Sequence, residues 1–402
     1  MIDLAGRAAV LRARNAVAIV FALNGFAFAS WVSRIPEARN ALDLTPGQLG
    51  TLLLALSVGS VIALPSAGIW VHRFGAARVV AAAALLDAVG LGLAGVGAGG
   101  VTLDWVTAVG LFLLGFGSGV WDVAMNVEGA AVEHEIRRTI MPRFHAAFSL
   151  GTVAGAGVGA ASSATSVPIP VHLVTCAVLV ALAPLVAVRS FLPAGVEEQV
   201  VAEGAGEPRH PMRAWTEPRT LVIGVMVLAM ALTEGVANDW LAVALVDGYG
   251  VEEWVGASGF ALFVAAMTLG RFGGTVVLDR YGRLQVLWGT MALAGAGVLL
   301  VVFGQALVVV AVGIVLWGIG ASLGFPVGMS AASDEPEYAA ARVSVVSTIG
   351  YTAFLAGPPL LGYLGDHVGV LSALLVVAIL LVPSALAVPS ARPSRLADHR
   401  RG

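Results

Sequence analysis

Apolar stretches of about 20 residues, each long enough to cross the hydrocarbon of a bilayer, recur along the whole chain. They cover residues 15–35, 47–71, 77–96, 106–127, 144–164 and 167–188, and, after a gap, 221–245, 255–278, 284–303, 306–329, 343–364 and 370–388. In lipid every backbone polar group must be satisfied within the protein, so unbroken runs of this length select helices. The expected class is an all-α membrane protein with about twelve transmembrane helices.

Composition agrees and excludes other classes. A soluble domain carries roughly 25% charged residues, whereas this chain has 12%, with 58% hydrophobic. The 50 glycines fall inside the apolar runs, the pattern of closely packed membrane helices. A net charge of −3 argues against a nucleic-acid partner. The single Cys176 excludes an intrachain disulfide. No Walker A motif and no His/Cys cluster occurs, so neither a cofactor nor a metal is expected. Gly90-x-Gly92-xx-Gly95 matches a dinucleotide fingerprint, but it lies within an apolar run with no strand before it, and close helix packing explains it. Arg7, Arg12 and Arg14 precede the first apolar run as in a signal peptide. That run is long enough to span and no A-x-A-like site follows it, so it reads as the first membrane helix.

One long polar connection, 189–219, splits the runs six and six. It is charged and rich in Gly and Pro, as a solvated linker is. The expected organisation is a bundle over 1–188, a cytoplasmic linker over 189–219, a second bundle over 220–390 and a cytoplasmic tail over 391–402. All 22 basic residues are arginine, and with a cytoplasmic N-terminus only Arg34 and Arg39 face the other side. The positive-inside rule selects this orientation.

Polar residues within the apolar runs are the functional candidates. The stretch 111–133, which begins within the fourth run, is built on Gly115, Gly117 and Gly119 and then carries Trp121, Asp122, Asn126 and Glu128. A carboxylate there costs about 2.5–3.5 kcal/mol on insertion scales, so it marks function by default. Asp122 and Asn126, four apart, share a helix face. Asp122 reads as a proton-carrying group and Asn126 as a substrate contact; the bland alternative is an Asp122 merely paired with an Arg or His of a neighbouring helix. In the seventh run Glu234 and Asn238 are co-facial, with Asp239 and Trp240 following. Aromatic rings beside amides and carboxylates suit polyols. Asn24 lies mid-run in the first helix and Trp31 one heptad on, where an interfacial belt is the alternative. His145 reads as packing, and Arg271 as snorkelling to the interface.

The two halves look like copies. Gly68-xxx-His72-Arg73-Phe74-Gly75 matches Thr275-xxx-Asp279-Arg280-Tyr281-Gly282 at an offset of 207. Gly115-x-Gly117-Ser118 matches Gly318-x-Gly320-Ala321 at 203, and Trp31 matches Trp240 at 209. The loop pattern G-xxx-(D)-R-x-G resembles the signature of the major facilitator superfamily. WDVAMNVEGAAVEHE from Trp121, ALTEGVANDWL from Ala231, WGIGASLGFPVGMSAASDEP from Trp317 and ARVSVVSTIGYTAFLAGPPLLGYLGDHVG from Ala341 resemble its YbjJ-like and MosC-like (rhizopine-transport) group. More distantly, Asp122-x-Ala124-x-Asn126 and Ser322-xx-Phe325-Pro326 are similar to motifs of fucose permease-type proton symporters. His72 departs from the usual Asp of the loop signature; Asp279 keeps it.

The resemblance implies two six-helix pseudo-repeats around a central cavity, and a secondary transporter rather than an enzyme. The expected cargo is a small polar solute (a sugar, polyol or inosamine-like compound) moved by alternating access with proton coupling. Efflux of hydrophobic compounds, and a receptor on a transporter fold, are the alternatives. Expected substrate contacts are Asn24, Trp31, Trp121, Asn126, Glu234, Asn238, Asp239 and Trp240. Asp122 and Glu234 are the expected proton-coupling carboxylates, and Gly68, Arg73, Gly75, Asp279, Arg280 and Gly282 the conformational loops. Expected partners are solute, proton and the lipid bilayer of the cytoplasmic membrane, around a monomer with both termini cytoplasmic.

Overall fold

A computed structural model describes residues 4–138, 140–193, 211–335 and 338–392. Most of the expected linker, 194–210, and the tail from 393 lie outside the described residues. Within them there are helices and no strands, and 12 helices are long and apolar enough to cross a membrane.

The chain forms two compact units, residues 1–206 with 251–261, and 207–250 with 262–402. The first contains α1 (Leu4–Val32), the short α2 (Ile35–Ala41), α3 (Pro46–Phe74), α4 (Ala76–Gly99), α5 (Asp104–Ile136), α6 (Met141–Ala164) and α7 (Ile169–Ala187). The second contains α8 (Pro218–Tyr249), most of α9 (Glu253–Tyr281), α10 (Arg283–Phe303), α11 (Leu307–Ala321), α12 (Gly324–Ala332), α13 (Ala339–Val368), α14 (Val370–Ala373) and α15 (Leu375–Ala387). The helix ends follow local chemistry. At the start of α3 the Thr45 hydroxyl accepts the Gln48 N–H and the Gln48 side chain accepts the Thr45 N–H, a capping box with Pro46 in the first turn. Glu133 accepts the N–H groups of Ile140 and Met141 at 2.6 Å, satisfying the start of α6.

Each unit packs in the same pattern. In the first, α1 lies on α6 and α4 lies between α5 and α7; in the second, α8 lies on α13 and α10 lies between α11 and α15. Glycines permit these contacts at matching places. A Cβ on Gly115 would sit 2.0 Å from the Leu56 carbonyl oxygen, and one on Gly318 would sit 2.6 Å from that of Phe263. A Cβ on Gly90 would sit 2.3 Å from the Leu114 nitrogen, and one on Gly297 would sit 2.4 Å from that of Trp317. Gly90 is therefore a packing glycine, as Gly95 is against Leu173. Small residues at such crossings let backbones approach where lipid supplies no hydrophobic drive between helices.

The repeated loops also match. Gly75 joins α3 to α4 at φ 79° and Gly282 joins α9 to α10 at φ 78°, a region that disfavours any Cβ. Arg73 lies over the Phe74 ring at 5.7 Å and Arg280 over the Tyr281 ring at 5.4 Å. Gly68 is different: a Cβ there meets nothing within 4 Å, so no packing demand fixes it as glycine.

The expected tenth span, 306–329, is present as Leu307–Ala332, but its helix is interrupted. It breaks between Ala321 and Gly324. Pro326 has no N–H to donate to the Ser322 carbonyl, so one rung of the helical ladder is missing at the break. Freed backbone groups are tolerated at membrane depth only where protein re-satisfies them.

Candidate functional site

In the first unit α5 presents Ser118, Asp122 and Asn126 at four-residue spacing, one stripe of one helix face. Asn126 Nδ2 donates to the Asp122 backbone oxygen at 2.8 Å and to Asp122 Oδ1 at 3.3 Å. Both residues are half-buried. One turn earlier the Ser118 hydroxyl donates to Asn24 Oδ1 of α1 at 3.4 Å, and Asn24 Nδ2 has no partner. Asn24 is buried. The stripe thus joins three of the expected residues, Asn24, Asp122 and Asn126. Ser118 was not foreseen; its place four residues before Asp122 was the available signal.

In the second unit Arg271 of α9 donates Nη2 to both carboxylate oxygens of Glu234 on α8, at 3.0 and 3.1 Å. Its Nε reaches the Ser322 carbonyl at the helix break, at 3.5 Å. Arg271 therefore does not snorkel: it is an intramembrane partner for a carboxylate and for a broken helix. The pair is accessible in part, at 32% and 20% exposure. Trp317 Nε1 donates to the Thr233 carbonyl at 3.1 Å, holding α11 to α8 just before Glu234. Asn238 and Asp239 are half-buried.

The three expected tryptophans are enclosed by protein. Trp31, Trp121 and Trp240 are all fully buried, and their indole N–H groups have no acceptor. Trp31 is not a belt residue, since an interfacial ring would be exposed at the surface. None of the three presents a ring face to solvent in this arrangement. His145 packs edge-on against Phe21 at 5.3 Å. Glu128 is buried and accepts the Leu192 N–H at 2.7 Å, tying α5 to the end of the first unit.

Two ionic clusters were missed by sequence reasoning. Asp334, after α12, accepts from Arg219 at 3.0 Å and Arg283 at 2.9 Å. Arg342 bridges Glu217 at 2.7 Å and Glu335 at 3.1 Å. Contacts with Arg342 and Thr220 hold the Glu217 carboxyl below its ordinary range although burial pushes the other way. In the first unit the buried Arg34 pairs with Glu37 and donates to the Val167 carbonyl at 2.7 Å. They line a cavity of about 430 Å³ with Ser163, Glu252 and Glu253. Burial pushes the Glu37 carboxyl up, against a Ser163 hydrogen bond and the Arg34 charge. Among the described residues no group of acidic, His or Cys side chains could hold a metal ion.

The chain matches the family model of the Major Facilitator Superfamily over residues 17–353 and 258–401. It is 30% identical over 371 residues to an uncharacterized MFS-type transporter of Yersinia pestis, covering 91% of this chain and 92% of that one. It is 29% identical over 365 residues to the membrane protein MosC of Rhizobium meliloti, covering 90% and 86%. Among solved structures it resembles the nucleoside transporter NupG at a TM-score of 0.78 and 14% identity, over 94% of this chain and 99% of that one. It also resembles the fucose:proton symporter FucP of E. coli, with TM-score 0.61, 16% identity and coverage of 95% and 98%. The duplicated packing, the glycine loops and these matches agree: the chain belongs to the Major Facilitator Superfamily and is a multi-pass membrane transporter, not an enzyme.

Proposed function

We propose that the protein moves a small polar solute, a sugar, polyol or inosamine-like compound, by alternating access, coupled to protons. The Asp122–Asn126 pair carries this reading. A half-buried carboxylate at membrane depth, met among the described residues by one amide and no cation, is disfavoured unless it takes up a proton or a ligand. Asn24 and Ser118 add hydrogen-bonding groups on the same stripe, as a hydroxylated solute requires. The Glu234–Arg271 pair supplies a second polar centre in the other unit. Glu234 already faces a cation and Asp122 does not, so Asp122 is the primary coupling group and Glu234 a solute contact. The solved structures of similar fold that are a nucleoside transporter and a fucose:proton symporter support a polar cargo. The protein sits as a monomer in the cytoplasmic membrane with both termini and the 189–219 linker inside, following the arginine distribution.

The test is Asp122→Asn in proteoliposomes, which mimics the protonated form. Sugars, polyols and amphipathic drugs are first screened by thermal shift, because a ligand raises apparent stability by mass action. Asp122→Asn is expected to abolish proton-driven accumulation while retaining counterflow exchange. Accumulation at the parent's level would remove Asp122 from coupling, and stabilisation by drugs alone would overturn the polar cargo.

A further inference from the structure

A second carboxylate, which the mechanism above does not use, sits midway along α4. Asp87 lies between Ala76 and Gly99, so at 1.5 Å per residue it is about 16–18 Å from either end of the helix. It is 1% exposed, and neither carboxylate oxygen has a hydrogen-bond partner. The backbone around it is tightly held. A Cβ on Gly117 of α5 would lie 2.7 Å from the Asp87 nitrogen and 2.9 Å from its Cα.

The second unit contains the same joint without the acid. A Cβ on Gly320 would lie 2.3 Å from the nitrogen of Ala294. Gly117 and Gly320 are 203 apart, and Asp87 and Ala294 are 207 apart, the offsets of the sequence repeat. A methyl group therefore suffices for this helix crossing. The carboxyl at 87 adds a cost that the fold does not require.

Among the described residues no hydrogen bond from the neighbouring helices reaches either carboxylate oxygen. On α5, Asp122 is bonded to Asn126, Glu128 accepts the Leu192 N–H, and Glu133 accepts the Ile140 and Met141 N–H groups. His72 and Arg73 lie in the last turn of α3, and Arg12 and Arg14 lie in the first half of α1. Glu37 and Arg39 lie on α2 and Arg189 in the turn after α7. His172 of α7 is buried, but its ring lies beside Gly159. An ionised carboxylate with no partner in an apolar interior is far costlier than the neutral acid.

We propose that Asp87 is a second proton-binding site, occupied while α4 and α5 are closed on it and emptied when they part. Only a proton moves: the carboxyl O–H bond breaks and the proton passes to water that reaches the opened joint. This rests on the proton-coupled reading above, but it is tested without any transported solute. Infrared spectra of the full-length protein in detergent at neutral pH are compared with those of Asp87→Asn and Asp87→Ala. The parent is expected to show one protonated-carboxyl carbonyl band that both variants lack. On transfer to D₂O the band should shift within minutes, because the opening motion admits solvent. Absence of the band overturns the proposal, and so does a band that stays unshifted for hours, which marks an inert packed acid. Asp87→Ala carries the residue of the second repeat, so it tests the site where Asp87→Asn fails to fold. Failure of uphill transport by the parent would instead count against the proposed function and leave the infrared result standing.

Discussion

One nitrogen of Arg271 serves both oxygens of Glu234, at 3.0 and 3.1 Å, while its Nε reaches the Ser322 carbonyl that Pro326 leaves without a helical donor. One guanidinium thus neutralises an intramembrane carboxylate and repairs a helix break. Removing either partner strands a charge. Glu234→Ala and Arg271→Ala are each expected to lower stability by about 1–3 kcal/mol in detergent, the cost of an unsatisfied buried group. The double variant should lose less than the sum, the signature of direct coupling. Arg271→Lys should not rescue, because an ammonium cannot span both contacts. Additive losses by thermal unfolding would show that the pair is not a unit.

Asp334 is held by two arginines from different helices and is 6% exposed. Asp334→Ala leaves Arg283 without its acidic partner and Arg219 with only the 4.0 Å contact to Glu335. Breaking a buried ion pair by removing one partner costs about 3–5 kcal/mol; with Arg219 32% exposed, a loss near the lower end is expected. Unfolding of Asp334→Ala against Asp334→Asn checks this, since the amide keeps the hydrogen-bond acceptor but not the charge.

The spans and the duplication were legible in sequence because lipid imposes them: an apolar run of fixed length has one solution, and a repeated glycine has a repeated neighbour. Gly115 and Gly318 illustrate this, each meeting a backbone carbonyl of the preceding odd-numbered helix. The pairing of polar groups was not legible. Glu234 and Arg271 are 37 residues apart and meet only because α8 packs beside α9. Asp87 was passed over inside an apolar run because no polar residue at helical spacing accompanied it, although the rule that singled out Asp122 applies to it equally. The break near Ser322 was not read from the sequence: 306–329 is an apolar run without interruption, and Pro326 was the available signal.

The glycine contacts separate packing from composition. Gly115→Ala places a methyl group 2.0 Å from the Leu56 oxygen, where only backbone could yield. It should cost about 1–3 kcal/mol or more through overpacking. Gly157→Ala meets nothing within 4 Å and should be neutral or slightly stabilising. Parallel thermal melts decide; equal stability of the two variants would refute the close approach of α5 to α3.

Topology is tested by labelling. Cys176 is buried, so a cysteine-free background with Glu203→Cys gives one reactive site in the linker. An impermeant thiol reagent should label it only in inside-out vesicles, as the arginine distribution requires. Labelling from outside intact cells would invert the orientation.

Acid should loosen the second unit through Glu217. The carboxyl is bonded to Arg342 at 2.7 Å and to Thr220 at 2.9 Å, and these contacts hold it below its ordinary range against the opposing effect of burial. A carboxyl whose folded value is depressed contributes stability above its unfolded value, about 4.3, and loses it as pH falls through the folded value. The contribution is therefore present at neutral pH and disappears below about pH 4. Glu217→Gln removes the charge at every pH and keeps an oxygen acceptor for Arg342. It should lower the melting temperature modestly at neutral pH, by an amount limited by the 24% exposure of Glu217. The difference from the parent should vanish as pH falls toward 3. A difference that stays constant across the titration would show that Glu217 acts through packing rather than charge.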